Sequence, residues 1–142
     1  MSLPVNEDQA GNWVTTRDVS DGPVNHIEFE ATADLLYGDI VIHLLTSARP
    51  FVGFVELAAV TGDTARIDIT EGIELAVRNA NKDPGSTFTT LYADVWYNPV
   101  NGLFYDAGAA GYWMVGKVSS IQVGTGPFKY LKRRYAIEHD NT

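Results

Sequence analysis

Hydrophobic and polar residues alternate along most of this chain with a period of two. Ile27, Phe29 and Ala31 are interleaved with His26, Glu28 and Glu30, the pattern of a half-buried β-strand. Ile40-Val41-Ile42-His43-Leu44-Leu45 is β-branched and largely apolar, as a buried strand is. Arg49-Pro50 breaks that run, and Phe51 to Leu57 is the next strand candidate. Ala65, Ile67 and Ile69 then alternate with Arg66, Asp68 and Thr70. The stretch from Glu74 to Asn79 has helix-compatible residues. Gly72 before it and Pro84-Gly85 after it leave little room for a helix, so a strand is predicted.

Tyr92 to Tyr97 and Leu103 to Tyr105 flank Asn98-Pro99-Val100-Asn101-Gly102, a strong hairpin signal. Tyr112 to Val118 and Ser119 to Val123 predict one long strand or two short ones. Gly124-Thr125-Gly126-Pro127 turns the chain into a last strand, Lys129 to Glu138, with Tyr130, Tyr135 and Ile137 as its apolar positions. Turn residues recur about every 8–12 positions, and no segment holds a 3.6-residue period over three turns. The expected fold is all-β: a small β-barrel or sandwich over residues 26–142, preceded by an extended N-terminal arm over residues 1–25. In that arm Trp13-Val14 is the only strong apolar pair. A βαβ architecture is excluded.

A weak internal echo accompanies the strands. Gly38-Asp39 and Gly62-Asp63 each precede an alternating strand, and Ala93-Asp94 holds the matching place in a third unit. Gly53, Gly72 and Gly116 each open a later strand of their unit. The physical reading is a tight turn feeding a strand, repeated.

Composition narrows the function classes. The 142 residues suit one domain, and the net charge of -8 repels nucleic acid and anionic lipid. The chain has no cysteine, which removes disulfides, thiolate catalysis and cysteine-ligated metal centres. Its first residues have neither a basic nor an apolar signal region, and no apolar run approaches the roughly 20 residues of a membrane helix. A signal peptide and a membrane partner are therefore not expected.

Candidate chemistry is sparse. His26, His43 and His139 are far apart, and none stands in a metal-binding or catalytic spacing. Glu28, Glu30, Asp68 and Glu74 fall on the polar side of alternating strands, as a solvated face requires. Asp94 and Asp106 flank the aromatic hairpin, a weak candidate for an acid pair. Gly124 to Lys129 fails the phosphate-loop pattern, because Lys129 follows Phe128 and precedes Tyr130. No catalytic, cofactor-binding or metal-binding residue is expected, and no enzyme activity. Tyr92, Trp96, Tyr97, Phe104, Tyr105, Tyr112 and Trp113 form an aromatic cluster suited to core or interface packing. Two groups are candidates for contact with a partner or a second subunit. They are Leu3, Pro4, Val5 and Trp13 of the arm, and the basic run Lys132-Arg133-Arg134.

Several segments carry a family resemblance. Glu30 to Val41 resembles the opening of a phage family of small β-barrel capsid decoration proteins, often catalogued as a domain of unknown function. Val52 to Asp63 is similar to its glycine–strand–turn unit, and Glu71 to Ala76 to the strand that follows. Asp94-Val95-Trp96-Tyr97-Asn98 resembles its aromatic strand before a hairpin, and Val115-Gly116-Lys117-Val118 its closing strand. The likeness spans roughly residues 27–123; Ala93 stands where the family has glycine, and the tail after Gly124 is longer and more basic. The resemblance implies a structural virion protein, made in the host cytoplasm, that binds the outer surface of a phage capsid and stabilises it. Its implied partners are the major capsid protein and copies of itself, as a trimer, with no cofactor. The alternative reading is a carbohydrate-binding module using the aromatic hairpin around Trp96 and Tyr105.

Overall fold

The computed structural model describes residues 12–16, 25–43 and 50–139. Among them are ten strands and no α-helix. The strands are β1 (Asn12–Thr16), β2 (His26–Glu30), β3 (Ile40–His43), β4 (Phe51–Leu57), β5 (Thr64–Asp68) and β6 (Glu74–Val77), then β7 (Asp94–Asn98), β8 (Leu103–Tyr105), β9 (Trp113–Ser120) and β10 (Phe128–Glu138). The protein is all-β, as the period-two pattern requires. Glu74–Val77 is a strand, and a short 3-10 turn at Asn79–Asn81 follows it. The stretch after Tyr112 forms one strand.

Every strand-to-strand pairing is antiparallel, and two groups of strands result. The smaller runs β2-β5-β4-β3; the larger runs β1-β6-β10-β9-β7-β8. They meet where β10 reaches β4, with Tyr135 opposite Phe51 and the Ala136 N–H donating to the Pro50 carbonyl at 3.0 Å. The path through the sheet starts at β2 and ends at β8, so it does not close into a barrel. Of the two expected forms the open, sandwich-like one fits.

Strand β10 serves three neighbours. Phe128 to Leu131 pair with β6 on one edge, and the Lys132 N–H extends that edge by donating to Ile73 at 2.9 Å. The same edge then passes to β4 at Tyr135. On the other edge β9 runs alongside, with a register irregularity between Lys132 and Ile137. A bulge bends a strand and increases its twist, which lets one long strand leave the larger group and join the smaller.

Burial explains where the sequence pattern was clear and where it was not. The main core takes Ile40, Val52 and Phe54 from the smaller group and Leu75, Val95, Phe104, Val115, Phe128 and Tyr130 from the larger. Phe88 stacks on Phe128 inside it at 3.8 Å. A second cluster of Ile27, Val55, Ile67 and Ile69 lies apart from it. Strand β4 feeds both, so both its faces are buried and its sequence runs apolar without alternation. In β10 the inward positions are Phe128, Tyr130, Lys132 and Ala136. The expected apolar positions Tyr135 and Ile137 fall on the other face, Tyr135 half-buried and Ile137 exposed. Lys132, a basic residue on the inward face, hid this phase from the sequence.

The described part of the N-terminal arm is β1, an outer strand on β6 with Trp13 opposite Ala76. Leu3, Pro4 and Val5 lie outside the described residues.

Gly116 marks the tightest approach between strands. A Cβ there would overlap the Leu131 carbonyl oxygen and crowd the Tyr130 ring at 2.7 Å. Backbone cannot step aside as a side-chain tip can. Gly116→Ala is therefore expected to destabilise the domain by about 2–3 kcal/mol, measured as a lower urea midpoint with an unchanged denaturant slope.

Candidate functional site

Of the basic run, Lys132 is not at the surface, while Arg133 and Arg134 are half-buried. Lys132 is 1% exposed, and its ammonium donates to the Val52 carbonyl at 2.7 Å and the Arg133 carbonyl at 3.0 Å. Arg133 Nε donates to the Tyr135 carbonyl at 3.0 Å. Arg134 Nη1 donates to Asn25 Oδ1 at 3.3 Å, and its guanidinium lies over the rings of Phe51 and Tyr135. The expectation that Lys132 presents its charge to a partner is corrected. The inward phase of β10 buries it at the junction of the two strand groups.

Polar groups gather beside that junction. In the β2–β5 pairing His26 stands opposite Asp68, and in the β4–β5 pairing Phe54 stands opposite Asp68. Register slips between Val55 and Leu57, so Glu56 is the extra residue of a β-bulge. His26 Nδ1 and Glu56 Oε1 are 2.5 Å apart, and Arg66 Nη2 lies 3.7 Å from Glu56 Oε2. Asp68 Oδ1 accepts the Thr70 N–H at 2.8 Å. Donor atoms of His26, Glu56 and Asp68 all lie within 4.8 Å of one another. Asp68 is 1% exposed, so its place on a solvated face is corrected; Glu28 and Glu30 are exposed as expected. No spacing along the chain announces this cluster. Its members come from three strands, and only the pairing register and the bulge bring them together.

The remaining candidates are engaged in structure. His43 is half-buried, stacked on Phe29 at 4.4 Å, and burial lowers its pKa. His139 meets the edge of Trp96 at 5.3 Å. Asp94 pairs with Lys117 at 2.9 Å, while Asp106 accepts the Thr87 N–H at 2.9 Å. The aromatic hairpin divides its rings between two faces. Tyr97 and Phe104 enter the main core. Trp96 and Tyr105 pair on the outer face, where Tyr105 also packs on Tyr112 at 4.5 Å. A pocket of about 350 Å³ lies beside the hairpin turn, lined by Asp39, Asn81, Tyr97 and Asn101 among others. Its lining includes one carboxylate and no cationic side chain, so it holds no acid–base pair.

One turn stands out. Asp39 N–H bonds Leu36 O, Asp63 N–H bonds Val60 O, and Ala93 N–H bonds Thr90 O, three tight turns of one kind. Their third residues are Gly38 at φ 94°, Gly62 at φ 96° and Tyr92 at φ 65°. The turn of the internal echo thus recurs one residue out of step in the third unit: Tyr92, not Ala93, occupies the glycine position. A bulky residue there costs about 1–2 kcal/mol. Tyr92 is 70% exposed, and Leu91, Ile121 and Val123 are exposed as well. Bonds from the Tyr92 N–H to the Val118 carbonyl and from the Gln122 N–H to the Phe88 carbonyl lay residues 88–93 beside 118–122.

Lys132 generates a pH prediction. Burial drives its pKa down to about 7; Asp68 and Glu71 oppose the fall, and Arg134 adds to it. The unfolded chain holds this proton up to the ordinary value of 10.5, so between about 7 and 10.5 it binds more protons than the native state. Stability from this group therefore rises with pH across that window, with a slope of up to about 1.4 kcal/mol per pH unit. Above pH 10 buried Tyr97, raised to about 12, acts in the opposite sense. Urea titrations at several pH values are expected to show the rising limb between pH 7 and 10, and Lys132→Met is expected to remove it.

No protein-family model matches the sequence, and a search of curated proteins finds no match.

Proposed function

We propose that this chain is a structural virion protein that docks on the outer surface of a phage capsid and reinforces it. The observation that carries the reading is Tyr92. An aromatic side chain is kept at a turn position where glycine stands in the two sister turns, and most of it is left in water. Strain of this kind persists where a function uses the residue. Tyrosine is among the side chains that dominate protein interfaces, because it brings large area with little rotamer entropy. Leu91, next to it in the chain, is an exposed apolar side chain as well. The segment resemblances set out above point to the same role, with the major capsid protein as partner and a trimer as the assembled form. A lattice of identical sites multiplies a modest affinity per copy.

The carbohydrate reading is weaker. Trp96 meets His139 at an interplanar angle of 71°, and Tyr105 is tilted by 34° on Tyr112. These rings pack on one another, whereas sugar stacking needs an open ring face.

Tyr92→Gly separates fold from function. Removing the strain is expected to raise the thermal midpoint of the free protein by a few degrees, equivalent to about 1 kcal/mol. Losing the anchor is expected to weaken binding to undecorated capsids at least tenfold in a co-sedimentation assay. Capsid binding by Tyr92→Gly equal to wild type would remove Tyr92 from the interface. Failure of the wild-type protein to bind capsids would overturn the reading as a whole.

A further inference from the structure

We propose that His26, Glu56 and Asp68 form a binding site for one divalent first-row transition-metal ion, with zinc as the best-suited occupant. The inference is independent of capsid docking and concerns the opposite strand group.

Three features carry it. The first is donor chemistry: one imidazole nitrogen and two carboxylates make the mixed nitrogen–oxygen set that zinc takes, whereas magnesium and calcium prefer oxygen alone. The second is convergence. The three donors come from β2, β4 and β5, and all lie within 4.8 Å of one another. Ligands around a tetrahedral zinc at about 2.0–2.1 Å stand about 3.3 Å apart. His26 Nδ1, at 2.5 Å from Glu56 Oε1, must withdraw by about 1 Å to admit the ion. The third is the arrangement of burial. The Glu56 side chain is 3% exposed and Asp68 1%, while the His26 side chain is 45% exposed. Two carboxylates thus line the floor, and a movable imidazole forms the mouth.

The surroundings hold the ligands in place. Thr70 N–H fixes one oxygen of Asp68, the kind of outer contact that orients a metal-binding carboxylate. The bulge at Glu56 is a device often found where a strand must re-aim a side chain. Arg66 stands 3.7 Å from Glu56, longer than a charge-assisted hydrogen bond, and its side chain is 41% exposed, so it has room to swing outward. The Lys132 ammonium donates to the Val52 and Arg133 carbonyls, and its charge is felt by Asp68. These two cations and Arg134 reduce the net negative charge of the site and limit its affinity.

The test uses the full-length chain stripped with a chelator and titrated with zinc chloride, followed by calorimetry and thermal melting. The expected result is one ion per chain and a midpoint raised by about 5 °C or more at saturating zinc. Magnesium at the same concentration is expected to leave the midpoint unchanged. His26→Gln, at a half-exposed position, is expected to keep the fold by circular dichroism and to lose at least tenfold in zinc affinity. A second measurement needs no variant: on zinc addition the imidazole NMR signals of His26 move, and those of His43 and His139 stay. No zinc-dependent heat or shift would overturn the proposal. So would zinc binding that moves the signals of another histidine and not His26, or that survives His26→Gln undiminished.

Discussion

The hydrogen-bonded edge of β10 is the constraint on which the rest of the structure depends. It carries β6 along its first residues and β4 further on, and between the two stands Lys132. At that point the edge leaves one strand group before the other is fully engaged, and the Val52 and Arg133 carbonyls accept from the lysine side chain. An apolar residue in its place would leave these acceptors without that donor, which is expensive in a buried site. Two acceptors also suit a neutral amine, which has two N–H groups to give. Burial that pushes the pKa of Lys132 to about 7 is therefore compatible with a satisfied junction in either protonation state.

The same junction explains why charge collects inside a domain of this size. Where β4 leaves the main core, its inner face passes from Phe54 to Glu56, and β5 contributes Asp68 and Arg66 to that side. The second apolar cluster lies apart from the main one. Polar side chains beside such a seam are shielded by backbone and need partners within the fold. His26, Arg66, Lys132 and Thr70 surround the two carboxylates for this reason. Two buried carboxylates with an imidazole beside them are also what a metal ion requires, so one arrangement serves packing and the proposed coordination together.

At the other margin the economy is reversed. Gly38 and Gly62 make their turns without strain, whereas Tyr92 makes the equivalent turn against its own backbone preference. Nothing in the main core needs the Tyr92 ring, which stands mostly in solvent. The proposed docking role is the one account here that gives the strained residue a use, and it places the interface on loops carried by rigid strands, where binding surfaces are common.

Period-two patterning determined the all-β class, most strand positions and the aromatic hairpin, because residues on a half-covered sheet reveal their faces by alternation. It was least informative in β4, where both faces are buried, and in β10, where Lys132 sits on the inward face. The repeated turns were visible as Gly-Asp pairs, but the third was legible only in part, since Tyr92 gives no sign in sequence of a left-handed conformation. Lys132-Arg133-Arg134 read as a surface patch because strand phase, set by pairing with β6 and β9, is not encoded in the charges themselves. The cluster of His26, Glu56 and Asp68 was not legible at all. Residues of three separate strands, His26 and Glu56 standing 30 positions apart, meet there through cross-strand register and a single bulge. By itself the sequence determined which segments are strands and, outside β4 and β10, which faces are apolar, because those depend on neighbours along the chain. Only the tertiary structure decided which polar residues are buried together and which aromatic is held out in water, because those depend on how strands align across the sheet.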